Sequence, residues 1–199
     1  MYATPSMPTP YVPTFTGLRL NCFDPQTEQI HLIDIARGLS RTPRFAGQCK
    51  ADYSVGQHAL LVEQIAFRSL PAPRPEFLMG ALLRCAHQAY MGGMVGPVKA
   101  AVDQLAPGAL GQVIAKLSCA IERRFRLHLD MAEVVLINVA EREALRCERD
   151  DLGVDPDGCW PELHRTLRPM GIKRIEPLPA DEVFQRFVNR AMAIMGDAL

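Results

Sequence analysis

The chain has 199 residues, 48% of them hydrophobic, with 22 basic and 22 acidic side chains for a formal net charge of +0. That length supports one well-buried core and is short for two domains. The balanced charge excludes a general electrostatic attraction to DNA, RNA or an anionic membrane.

Met1 to Thr16 has no basic n-region, no apolar h-region and no small-residue cleavage site, so it does not read as a signal peptide. No apolar run approaches the roughly 18 residues that would cross a bilayer. A cytoplasmic location is therefore expected. The six cysteines, at 22, 49, 85, 119, 147 and 159, lack both the close Cys-x-x-Cys pairing of a structural zinc site and the density of a disulfide scaffold. Reduced thiols are the expectation.

In chain order, residues 1–16 carry four of the sixteen prolines among Ser and Thr, which predicts an extended arm. The single domain is expected to fill 17–199. Leu18 and Leu20 before Asp24-Pro25, and Ile30-His31-Leu32 after it, suit two short strands joined by a turn. Asp34 is expected to cap a short helix through Gly38, which Pro43 then ends. Ser54 reads as the N-cap of a helix with Val55, His58, Ala59, Val62, Ile65 and Ala66 on its buried face. Pro71, Pro73 and Pro75 form a rigid connector to a helix carrying Phe77, Leu78, Ala81, Leu82, Cys85 and Ala89.

A glycine-rich turn follows, and Pro97 suits the first turn of the next helix. Two long amphipathic segments come next, one through Leu110, Ile114, Leu117, Ile121 and Phe125, the other through Val134, Ile137 and Leu145 with Asp130 as its cap. Residues 150–179 are rich in Gly and Pro around Trp160 and read as a mostly irregular excursion. A last helix over 180–197, with Val183, Phe187, Val188, Ala191 and Met195 on one stripe, is expected to dock back on the bundle.

Three stretches go beyond fold class. They are Tyr53-Ser-Val-Gly-Gln-His58, the run from Ala81 through Leu-Leu-Arg84-Cys85 to the glycine turn and Pro97-Val-Lys99, and Asp34-Ile-Ala-Arg-Gly-Leu-Ser with Arg44-Phe45. Together they resemble the HD-domain metal phosphohydrolases, particularly the branch that contains bacterial 5'-deoxynucleotidases. The resemblance covers about residues 16–150. It implies a mainly α-helical HD-type bundle with a short N-terminal strand pair, and dimers are frequent in that group.

In the family a first His, an adjacent His-Asp pair and a distal Asp hold a divalent metal. Only the first is kept, as His58. The pair is Arg84-Cys85, and the distal Asp aligns with Glu133 or Val134, depending on whether Glu141 is taken as the anchor. The acid expected four positions after the pair is Gln88, and the acid of the glycine turn is Gly93. A guanidinium offers no lone pair to an ion. Without the ion, neither an activated water nor a Lewis acid is available, and the lost carboxylates remove a general acid or base.

The resulting expectation is a divergent member that lacks the hydrolase centre and needs no cofactor. It would bind a nucleotide, another phosphate-containing molecule or a protein partner. The ligand-binding set is Arg44, Phe45, His58, Arg84 and Lys99, with His58 and Glu133 as vestiges of the metal site; Arg44 and Lys99 match family residues near the bound phosphate. The alternatives are an active metal-dependent phosphohydrolase with a rebuilt divalent-metal site, a Cys85 nucleophile assisted by His58, and an Arg84 that simply pairs with Glu133 or Glu141. Cys85 and His87 lie about 200° apart around a helix axis and would not share one ion.

Overall fold

The fold begins with a hairpin whose turn is set by one glycine. β1 (Tyr11–Pro13) pairs antiparallel with β2 (Arg19–Asn21), Val12 opposite Leu20. Gly17 closes the turn at φ 88, a region that favours glycine, and its amide donates to the Thr14 carbonyl at 3.1 Å. In the computed structural model, residues 10–155, 160, 163 and 165–196 are described. The first nine residues of the expected arm, Cys159 and His164 fall outside them. Within the arm's described part Tyr11–Pro13 is strand and Phe15 and Thr16 belong to a turn, and the strand pair expected on either side of Asp24-Pro25 is shifted toward the N-terminus by one element.

Ile30–Leu32 instead leads into α1 (Leu32–Arg41), because the His31 side chain caps it, its Nδ1 accepting from the Ile33 amide at 3.2 Å. Asp34 is therefore inside the helix rather than capping it. Buried at the first turn, its carboxylate accepts from the Thr16 amide and hydroxyl, each at 2.7 Å, which pins the hairpin to α1.

α2 (Val55–Ser69) starts at Ser54, whose hydroxyl accepts from the Gln57 amide, and buries His58, Val62 and Ile65 as its spacing requires. It packs on α1, α3 (Pro75–Leu82), α7 (Met131–Leu152) and α8 (Ala180–Gly196). Phe77 of α3 and Phe187 of α8, both fully buried, anchor the core. α4 (Gln88–Met91), α5 (Gly96–Leu105) and α6 (Ala109–Arg124) complete eight α-helices among the described residues, with Pro97 in the first turn of α5. The structure is mainly helical, with a short two-stranded antiparallel sheet as the one sheet among the described residues.

The helix expected to run from Phe77 to Ala89 is broken. Past Leu83 the bonds tighten from i+4 to i+3, with the amides of Ala86, Gln88 and Ala89 donating to the carbonyls of Leu83, Cys85 and Ala86. This overwound stretch re-aims Arg84 and Cys85 relative to a continuous α-helix.

At the start of α7, Asp130 accepts from the Glu133 amide at 2.8 Å, and the Glu133 carboxylate accepts from the Asp130 amide at 3.0 Å. The same carboxylate takes both Nε and Nη2 of Arg74 at 2.6 Å. Asp130→Ala is expected to lower stability by about 1 kcal/mol, the usual worth of an N-cap, read as a shifted urea midpoint at unchanged slope.

Candidate functional site

A fully buried carboxylate organises the site. Glu148, on the inner face of α7, accepts from Arg44 Nη2 at 3.0 Å and Nε at 3.3 Å, and meets His58 Nδ1 at 2.6 Å. α2 presents His58, and the turn Arg44–Gly47 presents Arg44. In that turn Phe45 and Ala46 hold φ of 54 and 53, left-handed values that non-glycine residues adopt only under constraint. The constraint is visible: the Arg44 guanidinium lies over the Phe45 ring, which stacks on Trp160 with centroids 5.9 Å apart.

Burial works against charge on Glu148, but His58 and Arg44 overcome it and hold the carboxyl down at about 2. Burial and Arg44 likewise oppose a proton on His58, while Glu148 and Cys85 favour it and raise it to about 9. At neutral pH His58, Arg44 and Glu148 are thus an imidazolium and a guanidinium sharing one carboxylate.

His58 is also one wall of an open cleft of about 380 Å³, lined by Arg44, Cys85, Gln88, Lys99, Asn138, Glu141, Arg142 and Leu145 as well. Of the residues expected to bind ligand, the cleft brings together Arg44, His58 and Lys99, with Gln88 beside them. Phe45 is not in its lining and packs on Trp160 instead. Gly93 lies against the cleft's support: a Cβ there would meet Thr42 Cγ2 at 3.0 Å and the Pro43 carbonyl oxygen at 3.2 Å, so a larger acid at this turn would displace the residues leading to Arg44.

Two expectations are corrected. Arg84 does not place its charge in the site: its side chain is 48% exposed, and it lies along α7, Nε donating to Glu141 Oε2 and Nη2 to Asn138 Oδ1, both at 3.0 Å. Glu133 is not a vestigial ligand, since Arg74 and the helix start take its carboxylate. Eight positions separate it from Glu141, about 12 Å along the helix. Glu141 is the acid that reaches the site, with Oε1 3.7 Å from Cys85 Sγ.

One ligand atom each from His58, Cys85 and Glu141 lie within 4.8 Å of one another. One imidazole, one thiol and one carboxylate do not match the two His and two Asp that the HD resemblance implies for its divalent metal. His87 stays apart from this cluster. Burial, with Lys99 and Arg84 nearby, lowers it to about 4, and neither ring nitrogen has a hydrogen-bond partner among the described residues.

Sequence reasoning missed Glu148 and Arg142. Glu148 lies seven residues after Glu141, two helical turns along one face, and it is a charged residue on a stripe that Ile137 and Ala144 mark as buried. A larger groove of about 570 Å³, lined mainly by apolar side chains such as Met79, Phe125, Val188 and Met192, shares no residue with the cleft.

No family model matches the chain. An uncharacterized protein of Rhodobacter capsulatus is 36% identical over 114 residues, and the chain spans about half the length of that relative, 56%. The uncharacterized protein YfdR of Escherichia coli is 31% identical over 174 residues, covering 87% of this chain and 83% of YfdR. Among the described residues no helix is long and apolar enough to cross a membrane.

Proposed function

The chain belongs to the family of Escherichia coli YfdR, and we propose that it is a divergent HD-type protein whose cleft binds the phosphate of a nucleotide-like ligand without hydrolysing it by the metal route of the HD phosphohydrolases. The carrying observation is a pair of uncommitted cations. Lys99 from α5 and Arg142 from α7 line the cleft, and among the described residues neither forms an ion pair, whereas Arg44 is held by Glu148. A cleft with two free cations and a single lining carboxylate, Glu141, favours an anion. The resemblance through Tyr53–His58 and Pro97–Lys99 supports phosphate over other anions.

Hydrolysis by the HD route needs a divalent cation on a His-Asp pair, and Arg84-Cys85 supplies neither the imidazole nor the carboxylate. Calorimetric titration with mononucleotides and with inorganic phosphate is expected to give saturable binding at one site per chain. Lys99→Met or Arg142→Met should weaken it about 10- to 100-fold, the loss of one charge-assisted hydrogen bond. Absence of heat with every nucleotide and with phosphate would overturn the reading.

A second reading, a metal-dependent phosphohydrolase of the 5'-nucleotidase type with a rebuilt centre, is favoured by the convergence of His58, Cys85 and Glu141. Its signature is release of inorganic phosphate from a nucleoside monophosphate by the metal-loaded protein and not by the chelated one.

A further inference from the structure

We infer that His58, Cys85 and Glu141 form a site for a soft divalent cation of the zinc class, with the coordination position left open by these three ligands facing the cleft. The inference goes beyond phosphate binding and does not depend on it. The three ligands come from separate parts of the fold: α2, the overwound stretch after α3, and the middle of α7. Their donor atoms already lie within 4.8 Å of one another. Tetrahedral zinc with sulfur, nitrogen and oxygen ligands needs donor separations of roughly 3.4–3.6 Å, and Cys85 Sγ stands 3.7 Å from Glu141 Oε1. Side-chain adjustments of about 1 Å complete the set.

The surrounding groups orient these ligands in the way metal ligands are oriented elsewhere. Glu148 engages Nδ1 of His58 at 2.6 Å, which leaves Nε2 as the ligand atom, the carboxylate–histidine arrangement behind metal-bound imidazoles. Arg84 engages Oε2 of Glu141 at 3.0 Å, which leaves Oε1 on the Cys85 side. The substitution that removes the family's His ligand thus yields a positioning residue for a different one.

A thiolate and a carboxylate offset the two charges of a divalent ion, while Glu148 is shared between His58 and Arg44. Thiolate with imidazole selects zinc, and its spectroscopic substitute cobalt, over magnesium or calcium. Three protein ligands leave a fourth tetrahedral position, and His58, Cys85 and Glu141 all line the same open cleft.

The test uses the full chain, purified without chelators for metal analysis and then stripped and titrated with Zn²⁺ or Co²⁺. About one zinc per chain is expected, together with a cobalt complex that shows thiolate-to-cobalt charge transfer and the intense visible bands of a tetrahedral centre. Cys85→Ser, nearly isosteric, should abolish the charge-transfer band. Arg84→Met, at a half-exposed position, should weaken zinc binding about 10-fold through loss of ligand orientation. A cobalt complex with no charge-transfer band, or zinc binding of unchanged strength in Cys85→Ser, overturns the assignment. Lys99→Met should leave the cobalt spectrum intact while weakening phosphate, so failure of the metal site and failure of the phosphate reading are separately visible.

Discussion

Glu148→Gln is expected to remove about 3–5 kcal/mol of stability, the range for stripping one partner from a buried ion pair. The carboxylate is wholly buried and is the common acceptor for Arg44 and His58, on segments 104 and 90 residues away. Glutamine keeps the volume and one acceptor oxygen but leaves the guanidinium and imidazolium without an anion. At about 2–4 °C per kcal/mol for a chain of this size, the melting midpoint should fall on the order of 10 °C. Glu182→Gln, which removes only the surface pair with Arg186, should stay within about 0.5 kcal/mol of the parent. Equal melting of the two variants would mean that the buried pair is not formed.

The same centre sets the pH dependence of the chelated protein. Glu148 titrates at about 2 when folded, against an ordinary 4.5, so its contribution is complete above 4.5 and is lost as pH falls toward 2. His58 titrates at about 9, against 6.5, so its contribution is complete below 6.5 and is lost as pH rises through 9. Stability contributed by the pair should peak between these limits. Glu148→Gln removes the group that holds the proton on His58, and the alkaline decline between pH 6.5 and 9 should flatten with it. Thermal melts across pH test both arms.

What could be read from the sequence was local. Ser54 and Asp130 as caps, Pro97 in a first turn and His58 on a buried face each follow from rules that span a few residues. The site depended on information at longer range. Arg84 and Cys85 take their positions from the tightening after Leu83, which the apolar spacing from Phe77 to Ala89 conceals. Glu141 rather than Glu133 reaches the site because Arg74, 59 residues upstream, claims Glu133. Glu148 lies among the charges of a helix end, and its pairing with His58 and Arg44, 90 and 104 residues upstream, is what the local pattern does not carry. The N-terminal hairpin was hidden by composition, since Pro13 sits at a strand end in a stretch that reads as an arm.

Gly38→Ala is expected to cost about 3 kcal/mol, the upper end for forcing extra volume into a packed contact. A Cβ at this position would lie 2.5 Å from the Ala89 carbonyl oxygen and 2.8 Å from both Ala89 Cα and Cβ. Two of these atoms are backbone, so no rotamer change relieves the overlap, and α1 and α4 must separate. The contact matters to the site because Gln88, beside Ala89, lines the cleft, and Gly93 just beyond packs on Thr42 and Pro43 ahead of Arg44. Weaker phosphate binding is therefore expected along with the lower denaturation midpoint. Gly111 gives the opposite sign: a Cβ there meets nothing within 4 Å, and Gly111→Ala inside α6 should stabilise by about 0.5–1 kcal/mol through reduced backbone entropy of the unfolded chain. Urea titrations of the two variants should move the midpoint in opposite directions, and a Gly38→Ala protein as stable as the parent would show that α1 and α4 are not in backbone contact.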